Sequence, residues 1–142
     1  MLSRPLAQAS KVRPSARPFS ILIVDDDRAM ADALSIRLGR QGFLTTTAES
    51  GQLALALARA EQPDLILLDL RLPDVDGFEL CQQLVDDEQT CGTPVIILSG
   101  IELPDIIRRS RAAGCRYFVR KPFDPNALLT LIQHALSDAD PG

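Results

Sequence analysis

The sequence contains no tryptophan, one tyrosine, one histidine and three cysteines among 142 residues. Each scarcity closes off a class of answers. Cys81, Cys91 and Cys115 are an odd number without CxxC spacing, and His134 lies far along the chain from them, so neither a disulfide framework nor a zinc site is indicated. Cytoplasmic thiols are the reading instead. No apolar run approaches the roughly 18 residues of a membrane span, and the opening MLSRPLAQASKVRPSARPFS lacks the apolar centre of an export signal. The expectation is an unexported, cytoplasmic protein with no membrane segment. With 46% apolar residues but only five phenylalanines, the chain can build one aliphatic core of ordinary domain size.

Charge is unevenly spread. Residues 1–19 hold Arg4, Lys11, Arg13 and Arg17 and no acid, whereas all 19 acidic residues fall in the remainder. That opening stretch is also rich in Pro, Ser and Ala, which predicts a disordered basic tail outside the core. Four charges diluted with prolines fit a solvated tail better than a nucleic-acid arm, and an acidic body argues against nucleic-acid binding by the domain itself.

From Phe19 onward, short apolar runs alternate with helical periodicity. SILIV (20–24), LILL (65–68) and PVIIL (94–98) are strands apolar on both faces, FLTTTA (43–48) is β-branched and half polar like an edge strand, and YFV (117–119) is the last strand. Between them, the periodicity predicts a helix with Met30, Ala33, Leu34 and Leu38 on one face and a stop at Gly42. A second, capped by Ser50, carries Leu53, Ala54, Leu57 and Ala58. A third aligns Phe78, Cys81, Leu84 and Val85; a fourth includes Ile106, Ile107 and Ala113 and ends at Gly114. Asp124 caps and Pro125 opens a fifth, with Leu128, Leu129, Ile132, Ala135 and Leu136 together. Five strands alternating with five helices, three strands being apolar throughout, imply an α/β fold with a parallel sheet covered on both faces.

Ligands of such sheets bind beyond the carboxyl ends of the strands. Asp25, Asp26 and Asp27 follow the first strand, Asp69 ends the third, Ser99 follows the fourth, and Lys121, Pro122 and Phe123 follow the fifth. Convergent carboxylates repel one another and call for a hard cation, for which magnesium is the best match. A lysine and a hydroxyl facing the same ion complete a cradle for phosphoryl oxygens. Plainer roles suit the other residues nearby. Asp27 reads as a helix cap, Asp74 and Asp76 as shapers of the turn into the third helix, Asp64 as a strand-entry residue and His134 as structural. Arg108, Arg109, Arg111, Arg116 and Arg120 are either a solvated face or a docking surface.

With VDDD (24–27), DLRLPDVDG (69–77), LSG (98–100) and KPF (121–123) assembled, the sequence resembles the receiver domain of two-component response regulators, chemotaxis-regulator-like, over 20–137. The resemblance implies a flavodoxin-like, doubly wound sheet of order 2-1-3-4-5, with 138–142 as a short polar end. It implies Asp69 as the phosphoacceptor, served by a histidine kinase or phosphotransfer protein, in a domain that catalyses its own phosphorylation and dephosphorylation without being an enzyme in the usual sense. Asp25, Asp26, Asp69 and the Arg71 carbonyl would hold Mg2+, and Ser99 and Lys121 would bind the phosphoryl group. Lys121 would precede a cis proline, and Phe118 would be the aromatic switch residue, altering a surface of fourth helix, fifth strand and fifth helix that meets a downstream protein or a second copy. Arg71 and Ile101 would flank the approach of hydrolytic water, and an apolar Ile101 predicts slow dephosphorylation.

Nothing resembling a DNA-binding or enzymatic domain follows Ser137, so a stand-alone receiver is expected, with a piece of a longer regulator or hybrid kinase as the alternative. A magnesium-dependent phosphohydrolase with an aspartyl intermediate is a rival from another class, but its nucleophile would follow the first strand in a DxD arrangement. A receiver that binds partners without phosphorylation is a third reading, disfavoured by the complete acidic set.

Overall fold

The computed structural model describes residues 17–100 and 106–139. Ile101, most of the basic tail and the last three residues fall outside the described residues, as do the side chains of Ile106 and Ile107. The chain runs β1 (Ser20–Val24), α1 (Arg28–Arg40), β2 (Leu44–Ala48), α2 (Gly51–Glu61), β3 (Leu65–Asp69), α3 (Gly77–Asp86), β4 (Val95–Ser99), α4 (Ile106–Ala112), β5 (Tyr117–Arg120) and α5 (Pro125–Ala139). All strand pairs are parallel and the sheet order is β2-β1-β3-β4-β5. Parallel pairing requires a crossover after each strand, and the intervening helices supply it.

Strand alternation divides the core. Leu22, Val24, Ile66, Leu68, Val95 and Ile97 face the side that holds Ala54 and Ala58 of α2, Leu80, Cys81 and Leu84 of α3, and Ala113 after α4. Ile21, Ile23, Leu65, Leu67, Ile96 and Leu98 face the other, with Ala31 and Leu38 of α1 and Leu128, Ile132, Ala135 and Leu136 of α5. β1, β3 and β4 are buried on both faces, which is why their sequences are continuous apolar runs. β2, at the edge, leaves Leu44 59% exposed and keeps three threonines half buried.

The helices depart from their expected faces in places. In α1, Ala31 and Leu38 are buried, while Met30 is 45% exposed and Ala33 also faces outward. Ala31 rather than Met30 starts the buried stripe because α1 lies over β1 and β2 with its small side turned to the sheet. In α2 the close-packed positions are Gly51, Ala54 and Ala58, and Leu53 is 44% exposed. Leu80 joins Cys81 and Leu84 in the buried face of α3, with Phe78 and Val85 at its margin. Leu129 of α5 is half buried beside Leu128. The last helix continues to Ala139, past Ser137, and Asp138 belongs to the folded body: it accepts from Tyr117 Oη at 3.0 Å and pairs with Arg116 at 3.0 Å. The cysteines are free thiols, Cys81 and Cys115 buried and Cys91 exposed. Among the described residues, no helix is long and apolar enough to cross a membrane.

Candidate functional site

β1 and β3 are neighbours, but the chain leaves β1 toward β2 on one side and β3 toward β4 on the other. The loops after the two strands therefore diverge and open a crevice at their carboxyl ends. Asp25 is one residue past β1 and Asp69 is the last residue of β3, so the topology puts both carboxylates in that crevice. Both follow the alternation of Ile23 and Leu67, and Lys121, just past β5, follows that of Val119. The three side chains start from the same side of the sheet.

The resulting contacts are close. Lys121 Nζ donates to Asp69 Oδ2 at 2.9 Å and to Asp25 Oδ2 at 3.4 Å. The second oxygen of each carboxylate is held by the backbone two residues on: Asp25 Oδ1 accepts from the Asp27 N–H and Asp69 Oδ1 from the Arg71 N–H, each at 2.9 Å. Asp25 and Asp69 are 7% and 9% exposed, so these hydrogen bonds replace much of the water that would otherwise solvate the charges. The peptide after Lys121 is cis, and the Lys121 N–H donates to the Ser99 carbonyl at 2.8 Å, which anchors the lysine's backbone to the end of β4.

Electrostatics follow from this packing. Burial pushes the Asp25 carboxyl above its ordinary value, and the Asp69 charge adds to the push; the Asp27 N–H and the Lys121 ammonium oppose it without cancelling it. Burial also works against the Lys121 ammonium, but the hydrogen bond and charge of Asp69, then those of Asp25, outweigh it and hold Lys121 above the usual lysine value. Asp26 is exposed, yet Asp25, Asp26 and Asp69 each bring one carboxylate oxygen within 4.8 Å of the others. Three clustered anionic oxygens with one lysine opposite are an all-oxygen donor set, and such a set suits magnesium.

Ser99 ends β4 with 1% exposure. It shares its side of the sheet with Ile97, whose register partner on β5 is Phe118. Phe118 is half buried against the same core cluster. The expected hydroxyl and the expected switch aromatic thus lie on one face, two positions apart along the β4/β5 pair. Asp27 caps α1, accepting from the Met30 N–H at 3.2 Å. Asp76 caps α3 through the Phe78 N–H at 2.8 Å. Asp64 accepts from the Ser20 N–H at 2.8 Å and ties the entries of β3 and β1 together. His134 meets Tyr117 edge-on at 6.3 Å between ring centroids.

Asp74 departs from its expected role. Its carboxylate does not shape the turn into α3; it accepts from the Gly51 and Gln52 N–H groups, at 2.8 and 2.9 Å, at the start of α2. Two glycines with no role assigned from sequence also frame the segment after Asp69. A Cβ on Gly77 would stand 2.5 Å from the Leu70 Cα, and one on Gly51 would stand 2.2 Å from Val75 Cγ1. Gly77 was visible as the close of DLRLPDVDG, but the contact that demands a glycine is tertiary.

Relatives of known kind share this architecture. The model of the response regulator receiver domain matches residues 21–133. The polar-differentiation response regulator DivK of Brucella ovis is 34% identical over 120 residues, covering 84% of this chain and 98% of DivK. RpaA of Synechocystis, a DNA-binding dual master transcriptional regulator, is 41% identical over 121 residues, but the chain spans only 50% of its length. Among solved structures, the CheY-like receiver domain protein of Methanospirillum hungatei superposes with a TM-score of 0.82 at 30% identity, over 88% of this chain and 98% of that one. Chemotaxis protein CheY4 of Vibrio cholerae gives 0.79 at 29%, over 84% and 99%. The chain belongs to the response regulator receiver domain family, the phosphorylation-dependent signalling switches of two-component systems.

Proposed function

We propose that Asp69 accepts the phosphoryl group of a phosphohistidine on a histidine kinase or phosphotransfer protein. The observation that carries this reading is the Asp69 carboxylate itself: nearly buried at a strand end, held by Lys121 at 2.9 Å and by the Arg71 N–H at 2.9 Å, beside a second buried carboxylate. A carboxylate oxygen of Asp69 attacks phosphorus in line, the new P–O bond forms as the P–N bond breaks, and the imidazole leaves and takes up a proton from solvent. Asp25, Asp26, Asp69 and the Arg71 carbonyl would hold Mg2+, which neutralises charge on the phosphoryl oxygens. Lys121 already sits on Asp69 and can keep one of its three N–H donors there while turning another to a phosphoryl oxygen. Ser99 supplies a hydroxyl from the same strand-end row.

The output is a shift between two packings. Ser99 is drawn toward the acyl phosphate, and Phe118, on the same face, turns into the space released. α4, β5 and α5 then present a changed surface to a downstream protein partner or to a second copy of the chain. Arg109 of α4 lies over the Phe78 ring at 4.4 Å and 3.8 Å from Asp76, so α4 touches the start of α3 directly. The acidic body does not bind nucleic acid, and the working compartment is the cytoplasm. With an apolar isoleucine at position 101, self-dephosphorylation is slow.

The test is incubation with acetyl phosphate or phosphoramidate, with and without Mg2+, read by intact mass. One phosphoryl group is expected, metal-dependent, and absent in Asp69→Asn. A variant Asp69→Asn that still gains a base-labile phosphoryl group at the parent rate refutes the assignment.

A further inference from the structure

The segment between Asp69 and α3 is closed on itself. Arg71 bridges to Asp76 as in an antiparallel ladder, and the Gly77 N–H donates to the Leu70 carbonyl at 3.1 Å. The absent Cβ of Gly77 lets the Leu70 backbone sit against it. Such a loop moves as one body, so its position is set by what it touches outside itself. The contacts with α2 come from Asp74 and Val75. Both oxygens of Asp74 are used, Oδ1 on the Gly51 N–H and Oδ2 on the Gln52 N–H, and Val75 packs where a Cβ of residue 51 would be. The Asp74 carboxyl lies below its ordinary value, because the Gly51 and then the Gln52 N–H favour its charged form. It is an anionic anchor at pH 7.

The other end of the same connection reaches the opposite side of the crevice. The Asp25 N–H donates to the Ala48 carbonyl at 3.0 Å, and the Arg28 guanidinium meets Glu49 at 3.0 Å. The four residues Ala48 to Gly51 therefore join the Asp25 loop on one flank to the Asp69 loop on the other. The distance across the crevice is held through this short turn as well as through the sheet.

We infer that Asp74 is a positioning residue for phosphorylation: by clamping the loop after Asp69 to the first turn of α2, it sets the spacing between the Asp25/Asp26 and Asp69/Arg71 halves of the acidic site. This rests on the reading of Asp69 as the phosphoacceptor. Asp74 touches neither the reacting atoms nor the metal ligands' side chains and acts only through the backbone that carries Asp69 and Arg71.

Ser50 provides the control, since its hydroxyl accepts from the Leu53 N–H at 3.2 Å and caps the same helix by a bond within that helix's own first turn. The experiment compares the parent with Asp74→Ala, Asp74→Asn and Ser50→Ala. Each is measured for thermal stability, for Mg2+ affinity by calorimetry with the metal alone, and for the rate of phosphorylation by phosphoramidate at saturating Mg2+. Asp74→Ala is expected to weaken Mg2+ binding and slow phosphorylation by about tenfold. Asp74→Asn, which keeps one acceptor oxygen, should recover part of both. Ser50→Ala should lower the melting temperature by a similar amount and leave affinity and rate at parent values. Parent-like behaviour of Asp74→Ala in both, or equal losses in Asp74→Ala and Ser50→Ala, overturns the inference. Failure of the parent itself to be phosphorylated refutes the phosphoacceptor reading instead, and the Mg2+ affinities still decide whether Asp74 sets the spacing of the acidic site.

Discussion

Lys121 Nζ lies 2.9 Å from Asp69 Oδ2 across 52 residues of sequence, and the same ammonium reaches Asp25 at 3.4 Å. One cation between two nearly buried carboxylates holds together an arrangement that would otherwise repel itself.

Replacing Lys121 by Met should lower stability by about 1–3 kcal/mol at neutral pH without divalent ion, because two nearly buried like charges lose the cation between them. Lys121 is raised above its ordinary value of 10.5, so its contribution is fully present below that pH and is lost as pH climbs through the raised value. The gap between parent and Lys121→Met in urea denaturation should therefore close in alkali. Added Mg2+ should also narrow it, by supplying charge to the same carboxylates.

Gly77→Ala should cost roughly 1–3 kcal/mol, since the new methyl meets the Leu70 backbone and neither partner can rotate away. The same substitution displaces the loop after Asp69, so the phosphorylation rate should fall as well. Gly92→Ala, with nothing within 4 Å of its added Cβ, is the matched control and should leave both quantities unchanged.

Asp87 links α2 to the end of α3, accepting from the Gln89 N–H at 2.8 Å and from Arg59 at 2.6 Å. The Gln89 N–H first and the Arg59 guanidinium next hold its carboxyl below the ordinary 3.8. A depressed carboxyl contributes stability above the unfolded value and loses it as pH falls through the folded one. Asp87→Asn should thus be less stable than the parent at pH 6, with the difference vanishing in acid once the pH has fallen through the depressed value. A difference that persists there, in denaturant titrations across the range, would assign the effect to something other than the charge.

The arginine-bearing surface of α4 and β5 should bind an acidic partner or a second copy when Asp69 is phosphorylated. Arg116 is engaged with Asp138 at 3.0 Å, but three quarters of its side chain is exposed, and Arg111 is exposed too. Arg111→Glu with Arg116→Glu should change stability by less than about 1 kcal/mol. Self-association, followed by sedimentation velocity ultracentrifugation at several salt concentrations, should weaken and depend less on salt, while phosphorylation of Asp69 stays at the parent rate. Unaltered association excludes this face.

The strands and the row of residues at their ends were legible in the sequence for one reason. A parallel sheet covered on both faces writes itself as continuous apolar runs, and the polar residues that follow each run must stand at or near the carboxyl edge. Asp25, Asp69, Ser99 and Lys121 needed no further information to be brought together. The helical faces were less legible: Met30 and Ala31 fit the same periodicity within a residue of each other, and only the seating of α1 on β1 and β2 buried the alanine and exposed the methionine. Asp74 was not legible at all. A carboxylate two residues ahead of an N-cap looks local, but its partners are the N–H groups of a helix that begins 23 residues earlier, and backbone donors carry no mark in a sequence. The same holds for Gly51 and Gly77, whose missing side chains have meaning only where another segment comes close enough to fill the space.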